Sequence, residues 1–180
     1  LVLAVEVYAQ NGEWTEFIEM FNKAMSINPD KPVELRGAYT PVKEAVKNYT
    51  EYYWAAEFNS GVGQFKKIEE DPANKLEYLE TAIIHFTNAS IIKPADANTH
   101  ATLAKCYFDK GDKKSAKNAA LTAVKVNPES FDANFGAAQI LRRAGSSSLE
   151  ILPYYEKASD LEPSNSKALR ELASTYYDLG

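Results

Sequence analysis

Apolar residues in the second half of the chain recur at steps of three and four, the spacing that gathers them on one side of a helix. Residues 99–110 place Leu103, Ala104, Tyr107 and Phe108 in this way, and the next stretch lines up Ala116, Ala119, Ala120, Ala123 and Val124. Between the two runs, Gly111-Asp112 reads as a stop followed by a start. Glycine tolerates a left-handed backbone, and an aspartate side chain accepts a hydrogen bond from an orphan helix amide. Asn127-Pro128 ends the second helix, because proline lacks the amide donor and restricts the residue before it. The arrangement recurs over 132–144 with 149–161, and again over 167–179. These patterns predict antiparallel helix pairs. Pro153 sits early in the helix over 149–161 and is expected to delay or bend its first turn.

The recurrence has a period. Pro94, Pro128 and Pro163 lie 34 and 35 residues apart, and Gly111, Gly145 and Gly180 keep the same interval. Tyr107, Leu141 and Tyr176 repeat it, as do Ala89, Ala123 and Ala158. A period of about 34 belongs to helix–turn–helix solenoids, in which each unit buries its apolar face against the next. Ala104, Ala138 and Ala173 would let helix backbones approach closely, with Tyr107, Leu141 and Tyr176 filling the space between layers.

The first half follows the same phase with interruptions. Tyr8, Gly12, Phe21, Ala24 and Pro29 make 1–31 a partial unit. Residues 54–96 read as a divergent unit with a longer turn around 70–74. Its second helix carries Ala82, Phe86 and Ala89 ahead of Pro94. Residues 32–53 read as a helical insertion continuing into that unit, with Val42, Ala45, Val46, Tyr49, Tyr53 and Ala56 at helical steps. One long helix over 41–69 is expected, about 43 Å at 1.5 Å per residue. Its Tyr-rich face is expected to lie on the preceding helix pair; left exposed, it would suit a homodimer contact. The remaining units are 97–130, then 131–165 with a one-residue insertion, then 166–180 as the first helix of a further unit. A start at Leu1 and a stop at Gly180 read as cuts through a longer array. Localisation stays open: cytoplasmic, or extracytoplasmic if a signal peptide has been removed.

Composition narrows the function classes. The 180 residues are 45% apolar and 25% charged, with a net charge of −5. That balance argues against a nucleic-acid partner held on a basic surface. Aromatics at 12% argue against disorder. Cys106 is the single cysteine, which excludes an internal disulfide and any Cys-rich metal site. No apolar run approaches the roughly 20 residues of a membrane span.

Candidate chemistry is thin. His85 lies between Ile84 and Phe86, and His100 stands near a helix start without a ligand-spaced partner. Nothing near Cys106 in sequence would activate its thiol. Gly61-Val62-Gly63 is followed by no Lys-Ser/Thr and preceded by no strand, so it is not a phosphate loop. The carboxylates over 69–71 and 77–80 fit solvated charge runs. No catalytic, metal or cofactor residue is assigned.

Leu103, Ala104, Tyr107, Gly111, Ala116, Ala123 and Pro128 together resemble the tetratricopeptide repeat consensus. Leu172, Ala173, Tyr176 and Gly180 match its first half again. The unit between fits at Ala137, Ala138, Leu141, Gly145, Tyr155, Ala158 and Pro163. The resemblance implies an all-α, right-handed α-α superhelix of antiparallel helix pairs whose first helices line a concave wall. Peptides or partner helices commonly lie along such a wall. Carried over position by position, the wall would present Phe58, Asn59 and Phe65, then Asn98, Thr102, Lys105, Phe108 and Asp109. Asp132, Phe135, Gln139, Arg142 and Arg143 would follow, then Lys167, Arg170, Glu171 and Tyr177.

The function this implies is a non-enzymatic protein-binding scaffold or adaptor. Its groove would hold a segment with an aromatic or aliphatic anchor and an acidic group paired with Arg or Lys. Some members of the family grip a C-terminal carboxylate with a clamp of two lysines, two asparagines and an arginine. Here Ala101, Lys105, Gly136, Lys167 and Glu171 stand at those slots, and of these Lys167 alone matches. An accessory region of a larger enzyme or transport assembly is an alternative. A glycan or small-ligand binder is another, and it requires Trp14 or Trp54 in an open pocket.

Overall fold

Most helices of this chain begin at a side chain that can cap them. Asp96, Asp112, Ser130, Ser147 and Asn165 each accept a hydrogen bond from a backbone amide in the first turn of the helix they open. Gly111 and Gly145, at φ +94° and +89°, turn the chain between paired helices through a conformation that a Cβ would strain.

The computed structural model describes residues 1–35 and 37–180. Helix α1 covers 2–11 and contains a wider π turn at Ala4–Tyr8. It is followed by α2 at Trp14–Ile27, and by a hairpin of β1, Pro32–Leu35, and β2, Ala38–Pro41. Helix α3 spans Val42–Glu70, and a 3₁₀ turn at Pro72–Asn74 leads into α4, Lys75–Ile92. Then come α5, Ala97–Lys110; α6, Lys113–Val126; α7, Phe131–Arg143; α8, Ser148–Leu161; and α9, Ser166–Tyr177.

The hairpin corrects the helical reading of 32–53 over its first ten residues. Its strands pair antiparallel, Pro32 with Pro41, Val33 with Thr40 and Glu34 with Tyr39. A proline forces an extended conformation on the residue before it, and Val, Tyr and Thr favour a pleated backbone. Helical spacing begins only after Pro41, and so does the helix. Its first two amides do not go unpaired, since Val42 N–H donates to Lys31 O at 3.0 Å and Lys43 N–H to Pro29 O at 2.8 Å.

Helix α3 then runs 29 residues without a break. Its tyrosine face packs inward. Tyr53 is buried against Trp14 and Phe17, with ring centroids 5.5 Å and 5.3 Å away. Tyr52 faces out.

Among the described residues, four apolar clusters follow one another along the chain. The first joins α1 and α2 to Tyr53 and Ile92; the second sets Ala82 and Phe86 of α4 against Leu103 and Cys106 of α5. The third packs Ala104, Ala116 and Ala120 against Ala137 and Ile140. In the fourth, Phe135, Ala138 and Leu141 of α7 meet Ile151, Tyr155 and Ala158 of α8 and Ala168 of α9. Each cluster binds an element to its neighbour in sequence. The result is an all-α helical-repeat solenoid, interrupted once by the hairpin.

Two local expectations fail for identifiable reasons. Pro153 does not delay α8, because Ser147 and Glu150 form a reciprocal capping box that starts the helix five residues earlier. The carbonyl that its missing amide would have served belongs to Leu149, which is exposed to water. Tyr176 does not fill the space between layers as Tyr107 and Leu141 do. It is half exposed, and its hydroxyl donates to Glu156.

Candidate functional site

The first helices of successive pairs, α5, α7 and α9, share one wall, and a cavity of about 330 Å³ opens along it. Asn98, Ala101 and Lys105 of α5 face Asp132, Gly136 and Gln139 of α7 across this cavity, with Lys167 of α9 at its end. Ala104, Ala120, Ala123, Ala133 and Ala137 form its floor. Their methyl groups let the helices close behind the wall without filling the space in front of it. A second cavity of about 330 Å³ shares Asn98, Ala101, Asp132 and Ala133 and extends to Asn127 and Ser130. A third, of about 190 Å³, shares Gln139 and reaches Arg142, Arg143, Tyr155 and Glu171. Through these shared residues the three form a groove across α5, α7 and α9.

Of the residues named from the sequence, Asn98, Lys105, Gln139 and Lys167 meet in the first cavity together with Phe135, while Arg142 and Arg143 meet Gln139 in the third. Thr102 turns its hydroxyl back onto the Asn98 carbonyl at 2.9 Å. Asp109, Arg170 and Tyr177 are exposed but border none of the three cavities. Phe58, Asn59 and Phe65, on α3, lie outside them as well.

The phenylalanines are not the exposed groove aromatics expected. Phe58 and Phe65 pack on the buried ring of Phe86, at 5.2 Å and 5.9 Å between centroids. Phe135 is 7% exposed, stacked on Phe131 at 5.3 Å and edge-on to Tyr155 at 5.7 Å. Phe108 is half-buried beneath the Arg143 guanidinium, 4.1 Å from its centroid. Helical spacing put these rings on a shared stripe, but the neighbouring helix comes close enough to cover them.

Arg142 also differs from expectation. Its guanidinium lies 3.6 Å from the Glu171 carboxylate and donates to Thr175 Oγ1 and Ser174 Oγ, so it ties α7 to α9. It also sits over the Tyr155 ring at 5.2 Å. The cations left to the groove and its margins are Lys105, Arg143, Lys167 and Arg170, and among the described residues none of them forms an ion pair. Sequence reading named Ala101 and Gly136 only as clamp slots, not as groove lining. The available signal was a glycine inside a helix, where it lowers stability relative to alanine.

The two histidines are engaged, and the cysteine is shut away from solvent. His85 Nδ1 lies 2.8 Å from Glu57 Oε2, which also accepts from Asn88 at 3.2 Å. A ring nitrogen of His100 meets the Pro94 carbonyl at 3.0 Å. Burial, reinforced by Asp109, pushes the Cys106 thiol up to about 12, so it stays protonated at neutral pH. Among the described residues no group of His, Cys, Asp and Glu is placed to hold a metal ion, and no helix is long and apolar enough to cross a membrane. Trp14 is buried in the first cluster. Trp54 donates its indole N–H to Thr99 at 3.1 Å and carries Lys93 over its ring at 4.5 Å. Neither tryptophan offers the open platform that a glycan reading requires.

Residues 102–166 match the family model described as tetratricopeptide repeat. No curated protein matches the sequence. Among solved structures, the first TPR of Spaghetti (RPAP3) bound to the HSP90 peptide SRMEEVD aligns with a TM-score of 0.60 at 20% identity, over 71% of this chain and 94% of that one. The second TPR domain of human RPAP3, in complex with the HSP70 peptide SGPTIEEVD, gives 0.58 at 21% identity, over 71% and 98%. The TPR domain of Arabidopsis OM64 gives 0.57 at 14% identity, over 70% and 96%. At these identities the likeness is one of fold. Stacked helix pairs, turn glycines in a common phase and the family match over residues 102–166 together identify tetratricopeptide repeats in the segment from α5 to α8.

Proposed function

We propose that this protein is a non-enzymatic scaffold that holds a segment of a partner protein in the groove across α5, α7 and α9. The observation that carries this reading is the groove itself, open and alanine-floored, with Lys105 and Lys167 free of ion pairs at its rim. Apolar floor and charged rim together suit a segment with an apolar anchor and an acidic group. That two RPAP3 domains of similar fold are bound to peptides supports peptide capture by this scaffold. Those peptides end in Glu-Glu-Val-Asp, but Ala101, Gly136 and Glu171 cannot supply the side-chain donors of a carboxylate clamp, so a different segment is bound here. In this reading the array divides at 54–96, 97–130 and 131–165, with 166–180 opening a further unit.

The test is charge reversal on two faces. Lys105→Glu with Lys167→Glu should abolish capture of co-purifying proteins from native lysate. Lys114→Glu with Lys125→Glu, exposed positions on α6, should leave capture intact, with circular dichroism showing equal helicity throughout. Capture that survives the first pair refutes the groove reading.

A further inference from the structure

Gly136 occupies the middle of α7, where neither the backbone nor the packing requires a glycine. Its φ is not positive, and a Cβ built on it meets no atom within 4 Å. At Gly61, by contrast, the same added atom runs into the Phe86 ring at 2.8 Å. Gly63 is as uncrowded as Gly136, but it borders none of the three cavities. What Gly136 does is leave open the part of the groove it lines on α7, in the wall of the cavity of about 330 Å³. That volume lies within the roughly 300–1,000 Å³ of ligand pockets.

The chemistry around this opening is graded. Ala101 and Ile140 add apolar surface to the alanine floor. Asn98 and Gln139 stand at the sides, and neither side chain is hydrogen-bonded among the described residues. Lys105 and Lys167 bring two positive charges against the single carboxylate of Asp132. An aliphatic side chain would leave both amides unused. An aromatic side chain with a polar edge, an indole or a phenol, fills the hollow and also gives Asn98 or Gln139 a partner.

Building on the groove reading, we propose that the hollow above Gly136 is a socket for one Trp or Tyr side chain of the bound segment, with a nearby carboxylate of that segment held by Lys105 and Lys167. Gly136 thereby sets specificity by size. Any larger residue there would occupy the place of the ring.

A random-peptide phage library selected on the immobilised protein tests this. Expected is enrichment of peptides with one Trp or Tyr close to an Asp or Glu. Gly136→Leu should weaken their binding about tenfold or more, the loss of a buried aromatic anchor. Ala101→Leu, which fills the hollow from its other wall, should do the same. Gly136→Leu is expected to keep its helicity, because the position is uncrowded and leucine is the better helix former. Three outcomes overturn the proposal. If enriched peptides lack an aromatic residue yet are lost on Lys105→Glu with Lys167→Glu, the socket falls and the groove stands. If aromatic peptides bind both leucine variants undiminished, the ring sits elsewhere. If no peptide is enriched, or those enriched ignore both the leucine and the glutamate variants, groove and socket fall together.

Discussion

Gly61 and Gly63 lie two residues apart on α3, and replacing each with alanine should move stability in opposite directions. Both substitutions remove a flexible residue from a helix interior, a gain of about 0.5–1 kcal/mol. At Gly63 the added methyl meets nothing within 4 Å, so the whole gain should appear. At Gly61 the methyl would lie 2.8, 2.9 and 3.0 Å from Cζ, Cε1 and Cε2 of Phe86. The ring has little room to retreat, since Phe86 is fully buried and flanked by Phe58 and Phe65. Overpacking of this kind costs about 1–3 kcal/mol, which outweighs the helix gain. In a chain of this length each kcal/mol shifts Tm by roughly 2–4 °C. Thermal unfolding followed by circular dichroism should show Gly63→Ala rising by about 1–4 °C and Gly61→Ala falling by a few degrees. A Gly61→Ala protein as stable as Gly63→Ala would refute the close approach of α3 to α4 at this point.

Two further predictions concern groups that the fold has drawn inward. Arg142→Ala should destabilise the protein by about 2 kcal/mol, the scale of hydrogen bonds to a charged group, whereas Arg143→Ala should cost about 1 kcal/mol or less, the scale of an exposed cation–π contact. Equal losses in urea titrations would mean that Arg142 does not tie α7 to α9. Cys106, with its thiol pushed from 9.0 to about 12, should resist a disulfide reagent at neutral pH until the protein unfolds. Because the folded state holds that proton more tightly, this group's contribution to stability is complete below pH 9 and falls as pH rises toward 12. Replacing Cys106 with alanine should flatten that part of the pH–stability curve, and an unchanged slope would count against the burial.

Helix pairs, their turns and the repeat phase were legible along the chain because each is set by local chemistry. Proline withholds a donor at Pro94, Pro128 and Pro163, glycine turns left at Gly111 and Gly145, and aspartate caps at Asp112; these act within a few residues of themselves. Periodicity likewise told which residues share a face, and α3 begins and ends within a residue of its expected span. The hairpin was less legible: Val33, Tyr39 and Thr40 favour a pleated backbone, but strands of four residues carry too few positions to show a period.

The groove was a different matter. Asn98, Lys105, Gln139 and Lys167 line one cavity, whereas Phe58, Phe65, Phe108 and Phe135 are covered and Arg142 is bound to Glu171 and Thr175. Whether a side chain on a known face is free or occupied depends on the distance to the next helix and on what that helix presents. Those are properties of residues some 30 positions away, as Arg142 and Thr175 illustrate. One helix's spacing carries no record of them, so tertiary packing alone decided which part of the wall remained open.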